Sequence, residues 1–271
     1  MSSNQEQIEY WNDRAGETWA ELQDRLDALL APLSAAALAA AEVRPGDHVL
    51  DVGCGCGDTS IAMSAMGAKV LGVDVSAPML ARARSRDASI EYQQADAATT
   101  DFARAFDLVF SRFGVMFFDD AAAAFQNLHN ALTSDGRLLF VCWQSPARNP
   151  WMATAGRAIA PYLPSSDEAP NSRAPGPFAF ADARYVEQIL QDAGFSRIRI
   201  KSHEESLKVA DTLAEAVQFQ TRVGPAARVI AELEGDKRAQ ALAAVEDALR
   251  PFDRGSGLHL DSAVWLVSAE A

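Results

Sequence analysis

Val49-Leu50-Asp51-Val52-Gly53-Cys54-Gly55-Cys56-Gly57 is the stretch whose reading decides the fold. Val49 to Val52 is a short apolar run that fits a buried strand, and glycines at 53, 55 and 57 precede the amphipathic run Thr59 to Met66. The order is strand, glycine turn, helix. Glycine is needed where φ is positive or where a ligand lies against bare main chain, and a helix N-terminus beyond it offers N–H groups. The loop is a candidate ligand cradle, although glycines also simply close tight strand-to-helix turns.

Further along, the apolar run Val70 to Val73 ends in Asp74, where an acid can accept both hydroxyls of a ribose. A third short strand, 90–94, ends in Ala95-Asp96-Ala97, and a fourth, 106–110, ends in Ser111-Arg112-Phe113. In open parallel sheets the ligand lies beyond the carboxyl ends of the strands, so these four ends outline one crevice.

From the turn Arg44-Pro45-Gly46-Asp47 onward strands and helices alternate: strand 48–52, helix 58–66, strand 69–74, helix 77–86, strands 90–94 and 106–110, helix 119–132, strand 137–143. The fold class is α/β, with a doubly wound, mostly parallel sheet. Ser76 suits a helix N-cap, and Ser134-Asp135-Gly136 reads as a turn. Residues 4–41 read as two or three helices broken at Pro32, an N-terminal helical lid spanning 1–43. Within it, Tyr10, Trp11 and Trp19 either pack the layer on the core or touch ligand. Residues 144–180 are rich in proline, including Pro164 and Pro170, and with 208–252 they form insertion or cap segments over an acceptor site. A helix over 182–193, a strand over 195–207, helices over 212–250 and a strand over 258–267 complete a single domain of 1–271 with its cofactor core at 45–143.

The chain has 271 residues, 49% of them hydrophobic and 23% charged, as in ordinary globular proteins. A net charge of −13 with no basic stripe excludes nucleic-acid and anionic-membrane partners. The N-terminus has no basic region followed by an apolar run, and 28–41 is too short and too broken to span a bilayer, so a cytoplasmic protein is expected. Cys54, Cys56 and Cys142 fit neither a disulfide framework nor zinc spacing, so no metal is expected.

Taken jointly, the glycine loop, Asp74, Ala95-Asp96-Ala97, the strand around Asp107 to Phe110 and Leu132-Thr133-Ser134-Asp135-Gly136-Arg137-Leu138 resemble the class I S-adenosylmethionine-dependent methyltransferases. Within them the chain is similar to the ubiquinone and menaquinone biosynthesis branch. The resemblance implies a Rossmann-like seven-stranded fold and S-adenosylmethionine as cofactor, with S-adenosylhomocysteine as product. It places Asp51 near the methionine end, with Gly53, Gly55 and Gly57 letting backbone approach. Asp74 would accept from the ribose, Asp96 from the adenine amine, and Ala97 would offer its N–H to the ring. Ser111 would offer its carbonyl to the ammonium, and Val75, Met79 and Trp19 complete the cofactor set. The residues agree, because a nicotinamide turn has the spacing G-x-G-x-x-G, and here the third glycine comes one residue early, with Asp58 where a pyrophosphate would meet it. A nicotinamide- or nucleotide-dependent enzyme of the same sheet class and a non-catalytic binding module are the alternatives.

The acceptor is expected to be a small, largely apolar or aromatic molecule. Phe113, Met116, Phe117, Phe118, Trp143 and Trp151, with Phe178 and Phe180 of the insertion, gather where the chain leaves the cofactor end of the sheet. Arg112 reads either as a partner for an acidic acceptor or as a surface ion pair. No histidine is placed as a base, and the sequence leaves the catalytic residues and oligomeric state open.

Overall fold

The computed structural model describes residues 4–103, 105–162, 173–223 and 225–271. Pro164 and Pro170 of the proline-rich segment lie outside the described residues. Seven strands form one sheet: β1 (His48–Val52), β2 (Lys69–Asp74), β3 (Glu91–Gln94), β4 (Phe106–Arg112), β5 (Leu132–Trp143), β6 (Ser196–Ala210) and β7 (Leu258–Glu270). Their order is β3-β2-β1-β4-β5-β7-β6, parallel across the first five and antiparallel where β5 meets β7. Three of the crossovers are helical, α4 (Asp58–Ala65), α5 (Ala77–Arg86) and α6 (Ala121–Ala131), while β3 passes to β4 without a helix among the described residues. The order reverses direction at β1 and β4, and this switch point places the carboxyl ends of β1, β2, β3 and β4 around one crevice.

The central strands are apolar on both faces, as parallel strands covered by helices must be. Val49, Leu50, Leu108, Val109, Phe110, Phe140 and Val141 are completely buried, each side chain contributing about 1.5–3 kcal/mol by leaving water. The expected turn at 134–136 is a bulge within β5. Phe106 pairs with Leu132 and Leu108 already pairs with Arg137, so residues 133–136 are squeezed out of register.

The N-terminal helices are α1 (Gln5–Asn12), α2 (Arg14–Glu21) and α3 (Gln23–Ala41). Pro32 does not break the layer. It lies inside α3 on its exposed face, and the carbonyl it leaves without an N–H partner is that of the exposed Ala28, where water can reach it. The break falls at Leu22 instead, between α2 and α3.

Two compact units divide the chain, the first made of residues 1–144, 172–203 and 264–271, the second of 145–171 and 204–263. In the first, α8 (Ala183–Asp192) starts on its N-cap Asp182 and stops at Gly194, whose φ is 93°. The second contains α7 (Pro150–Ile159), α9 (Leu213–Gln220), α10 (Pro225–Glu232) and α11 (Gly235–Leu249). Its inner anchor is the fully buried Asn149, whose amide donates to the Ala263 carbonyl at 2.9 Å and accepts the Ala263 N–H at 3.0 Å. Among the described residues, no helix is long and apolar enough to cross a membrane.

Candidate functional site

The loop after β1 carries positive φ at all three glycines, 67° at Gly53, 57° at Gly55 and 84° at Gly57. This curl turns the loop donors inward. Gly53 and Cys54 N–H reach the Val73 carbonyl at 2.8 and 3.1 Å, Gly57 N–H reaches Cys54, and Gly55 N–H reaches Asp74 Oδ2 at 2.8 Å. The N–H groups at these four positions are therefore used within the protein, and what the glycines give is closeness of backbone. A Cβ on Gly53 would meet Gly114 Cα at 2.7 Å, so two glycines let the loops after β1 and β4 cross. A Cβ on Gly57 would lie 2.5 Å from the Tyr92 hydroxyl, which places that glycine in helix–strand packing.

Asp51, with no exposure, accepts from the Thr59 and Ser60 hydroxyls at 2.8 and 2.6 Å, both on Oδ2. Its Oδ1 has no donor among the described residues. Burial raises its pKa to about 6, against the lowering effect of the two hydroxyls and Arg112. Asp74 accepts the Ser76 N–H on Oδ1 at 2.9 Å and the Gly55 N–H on Oδ2, which hold its carboxylate at the end of β2 and offset part of the upward pull of burial. Met79, on α5, brings its Cε to within 2.9 Å of where a Gly55 Cβ would be. At the end of β3, Asp96 Oδ1 accepts the Ala98 N–H at 2.9 Å, while its buried Oδ2 has no donor among the described residues. The neighbouring Ala97 is buried, and its carbonyl accepts from Asn127. Ser111, buried in β4, donates its hydroxyl to the Val52 carbonyl at 2.7 Å and accepts the Gly114 N–H at 3.2 Å, tying the two glycine crossings together.

Across these strand ends lies α1. Asn12 donates to the Val75 carbonyl at 2.8 Å and accepts the Ala77 N–H at 3.0 Å, Ser76 donates to the Trp11 carbonyl at 2.7 Å, and Asn4 donates to Asp96 Oδ1 at 3.3 Å. Trp11 meets Trp19 and Phe117 edge-on, with centroids 5.7 and 5.2 Å apart. The aromatic lead thus packs within itself and on Phe117, while its asparagines make the polar contacts. Sequence reasoning passed over Asn4 and Asn12. The signal was there in two amides eight residues apart, a little over two helical turns, which keeps them on one broad side of a helix.

Arg112 is engaged within the protein. It lies 2.8 Å from Asp58, 3.9 Å from Asp27 and 2.5 Å from the Ser34 hydroxyl. Arg86 completes the group, 2.8 Å from Asp27 and 3.8 Å from Asp58, and donates to the Cys56 carbonyl at 2.9 Å. Asp58 therefore sits at the first position of α4 because two guanidinium groups hold it there, and its charge is neutralised within the protein.

The apolar residues divide. Phe113 stacks on Trp143, rings 4.0 Å apart and 2° from parallel, while its backbone is held at φ 64°, which a non-glycine residue rarely adopts. Met116 accepts the Trp143 N–H on its sulfur at 3.5 Å and is itself buried. Phe118 and Phe180 pack with Phe125 in the core, and Phe117 goes to Trp11. Trp151 lies in the second unit, buried on α7, where its carbonyl accepts from Gln220. The structure brings Phe113, Met116 and Trp143 together.

The three thiols are buried and free, and burial pushes Cys56 up to about 12 and Cys54 well above its ordinary value. Among the described residues no three His, Cys, Asp or Glu side chains cluster as a metal site.

A methyltransferase-domain family model matches residues 49–136. Malonyl-[acyl-carrier protein] O-methyltransferase of Enterobacter lignolyticus is 34% identical over 198 residues, which cover 72% of the chain and 68% of that enzyme. An uncharacterized Mycobacterium tuberculosis protein is 32% identical over 221 residues, 79% of the chain and 77% of the relative. Among solved structures, YcgJ of Bacillus subtilis superposes with a TM-score of 0.58 at 17% identity, over 89% of this chain and 98% of that one. Phosphoethanolamine N-methyltransferase 2 of Haemonchus contortus, in complex with S-adenosyl-L-methionine, gives 0.53 at 20% identity, over 88% of this chain and 52% of that one. The chain belongs to the class I S-adenosylmethionine-dependent methyltransferases. It is an enzyme of methyl transfer. None of these relatives assigns it to the ubiquinone and menaquinone branch.

The residues present fit that cofactor. Asp51 Oδ1 and Asp96 Oδ2, both buried and without donors among the described residues, suit a ligand that carries a cationic end and an amine. Asp74 accepts main-chain N–H groups from Gly55, Ser76 and Val75 and has acceptor capacity left over.

Proposed function

We propose that this enzyme methylates a small, uncharged, largely apolar or aromatic acceptor, held beside the end of β4. The observation that carries the reading is the Phe113–Trp143 stack, with Phe113 fixed at a strained φ directly after the strand end that carries Ser111. Strain of this kind persists only where surrounding packing holds it, and it presents a rigid aromatic face next to the glycine crossing.

In this reading Asp51, Asp74, Asp96, Ala97, Val75, Met79, Ser111 and the glycine loop hold the cofactor, with Trp19 part of the helical lid over 1–43. S-adenosylmethionine, when bound, supplies a methyl group already activated on a sulfonium sulfur. The chain's own part is then to orient and to exclude water. Alignment of nucleophile and carbon can contribute about 7–11 kcal/mol in favourable cases, so a general base is needed only for a protonated acceptor. The four histidines do not occupy the loops after β1 to β4. Arg112, already neutralised by Asp58 and Asp27, is not available to a phosphate or carboxylate on the acceptor. This favours an uncharged acceptor over the malonyl and phosphoethanolamine acceptors named for the relatives.

The test is an acceptor screen read by a mass gain of one methyl, followed by Trp143→Ala. The variant should raise the acceptor KM about 10-fold or more, while S-adenosylhomocysteine affinity stays within a few-fold. Methylation of tRNA or of phosphoethanolamine in preference to any apolar acceptor would overturn the reading.

A further inference from the structure

Asn4 forms the N-cap of α1 but makes no capping bond with its side chain. Its amide turns toward the end of β3 and donates to Asp96 Oδ1. That bond fixes the orientation of both groups. Asp96 Oδ1 is taken by Asn4 and by the Ala98 N–H, so Oδ2 is the oxygen left over. Because the Asn4 nitrogen faces a carboxylate, its Oδ1 faces elsewhere. Both leftover atoms are buried acceptors without a donor among the described residues, and Asn4 as a whole is only 6% exposed. Two buried acceptors on side chains bonded to one another can be met by one donor group with two N–H bonds.

The position of Asn4 is not free to drift. At the other end of α1, Asn12 is bonded to the main chain at Val75 and Ala77, so the helix spans from the end of β2 to the end of β3. We propose that Asn4 and Asp96 form a two-acceptor clip for a planar primary amine, the exocyclic amine of the cofactor's adenine, making Asn4 a specificity-determining residue. The clip rests on the methyl-donor reading above and adds to it that the N-terminal helix reads the purine.

Calorimetry on the full chain, comparing S-adenosylhomocysteine with S-inosylhomocysteine, which carries a carbonyl where adenine carries its amine, tests the clip. The wild type should prefer the adenine form by about 100-fold, roughly a decade for each acceptor. Asn4→Ala should cut that preference to about 10-fold, chiefly by weakening the adenine form. In Asp96→Asn the Ala98 N–H holds the amide oxygen in place of Oδ1, so an NH2 replaces Oδ2, and the preference should reverse toward the inosine form. Equal weakening of both ligands by Asn4→Ala, or a wild-type ratio near one with S-adenosylhomocysteine still tightly bound, would overturn the clip and leave the methyl-donor reading intact. Failure of the wild type to bind either ligand would overturn both.

Discussion

The side of the crevice formed by β1, β2 and β3 and the side formed beyond β4 and β5 are built from different forces. On the first, main-chain N–H groups fix carboxylates at strand ends: Gly55 and Ser76 hold Asp74, and Ala98 holds Asp96. On the second, Phe113 is placed by a ring stack and Met116 by burial under Trp143. A hydrogen-bonded site needs particular atoms at particular offsets, whereas a packed site needs only volume and shape. The first should therefore be intolerant of single changes and the second tolerant of substitutions that preserve bulk.

The largest effect is expected at Gly53. A Cβ there would sit 2.7 Å from Gly114 Cα, on backbone at φ 67°. Steric displacement added to left-handed strain of about 1–3 kcal/mol makes Gly53→Ala destabilising by about 3 kcal/mol or more. By calorimetry, Tm should fall by at least about 6 °C. A Tm within about 1 °C of wild type would show that the crossing of the two loops has slack.

Asp51 separates stability from binding. Its pKa of about 6 exceeds the ordinary 3.8, so between those values the native state holds a proton that the unfolded chain has released. Stability should fall as pH rises through that window, by up to about 3 kcal/mol at 1.36 kcal/mol per pH unit. Affinity for S-adenosylmethionine should rise over the same window, because the ionised carboxylate meets a cation. Asp51→Asn, which still offers an oxygen to Thr59 and Ser60, should melt higher than wild type above pH 6 and bind the cofactor more weakly. Unchanged affinity and a flat pH profile would show that Oδ1 does not face the cofactor.

The smallest effect sharpens the packed side. Phe113→Ala loses the ring and keeps the strain at φ 64°, whereas Phe113→Gly loses the ring and relieves it. The glycine variant should be more stable than the alanine variant by about 1 kcal/mol, read from denaturant midpoints, with similar loss of acceptor turnover in both. Equal stability would mean that the left-handed backbone carries no strain.

The same contrast decided what the sequence made legible. The sheet and the cofactor side could be read because glycines and acids stood at fixed distances from strand ends, and those offsets follow from main-chain geometry. Asp58 was harder. Its position suggested a charge facing a ligand, but its partners Arg86 and Arg112 are 28 and 54 residues away, and no local pattern announces a long-range ion pair. The aromatics after β4 were equally ambiguous, since Phe113 and Phe118 look alike in sequence and go to different places. Pro32 misled because a long helix accommodates a proline on its exposed face, where water reaches the carbonyl left without its N–H partner.

The group of Asp27, Asp58, Arg86 and Arg112 has a consequence for behaviour on heating. Its side chains are 14 to 28% exposed, so the cost of stripping water from the charges is a substantial part of its balance at room temperature. That cost falls as temperature rises, because hydration of ions carries a negative entropy, while their mutual attraction persists. Through Arg86 the group grips the Cys56 carbonyl, so the glycine loop is tied to the part of the molecule whose contribution strengthens with warming.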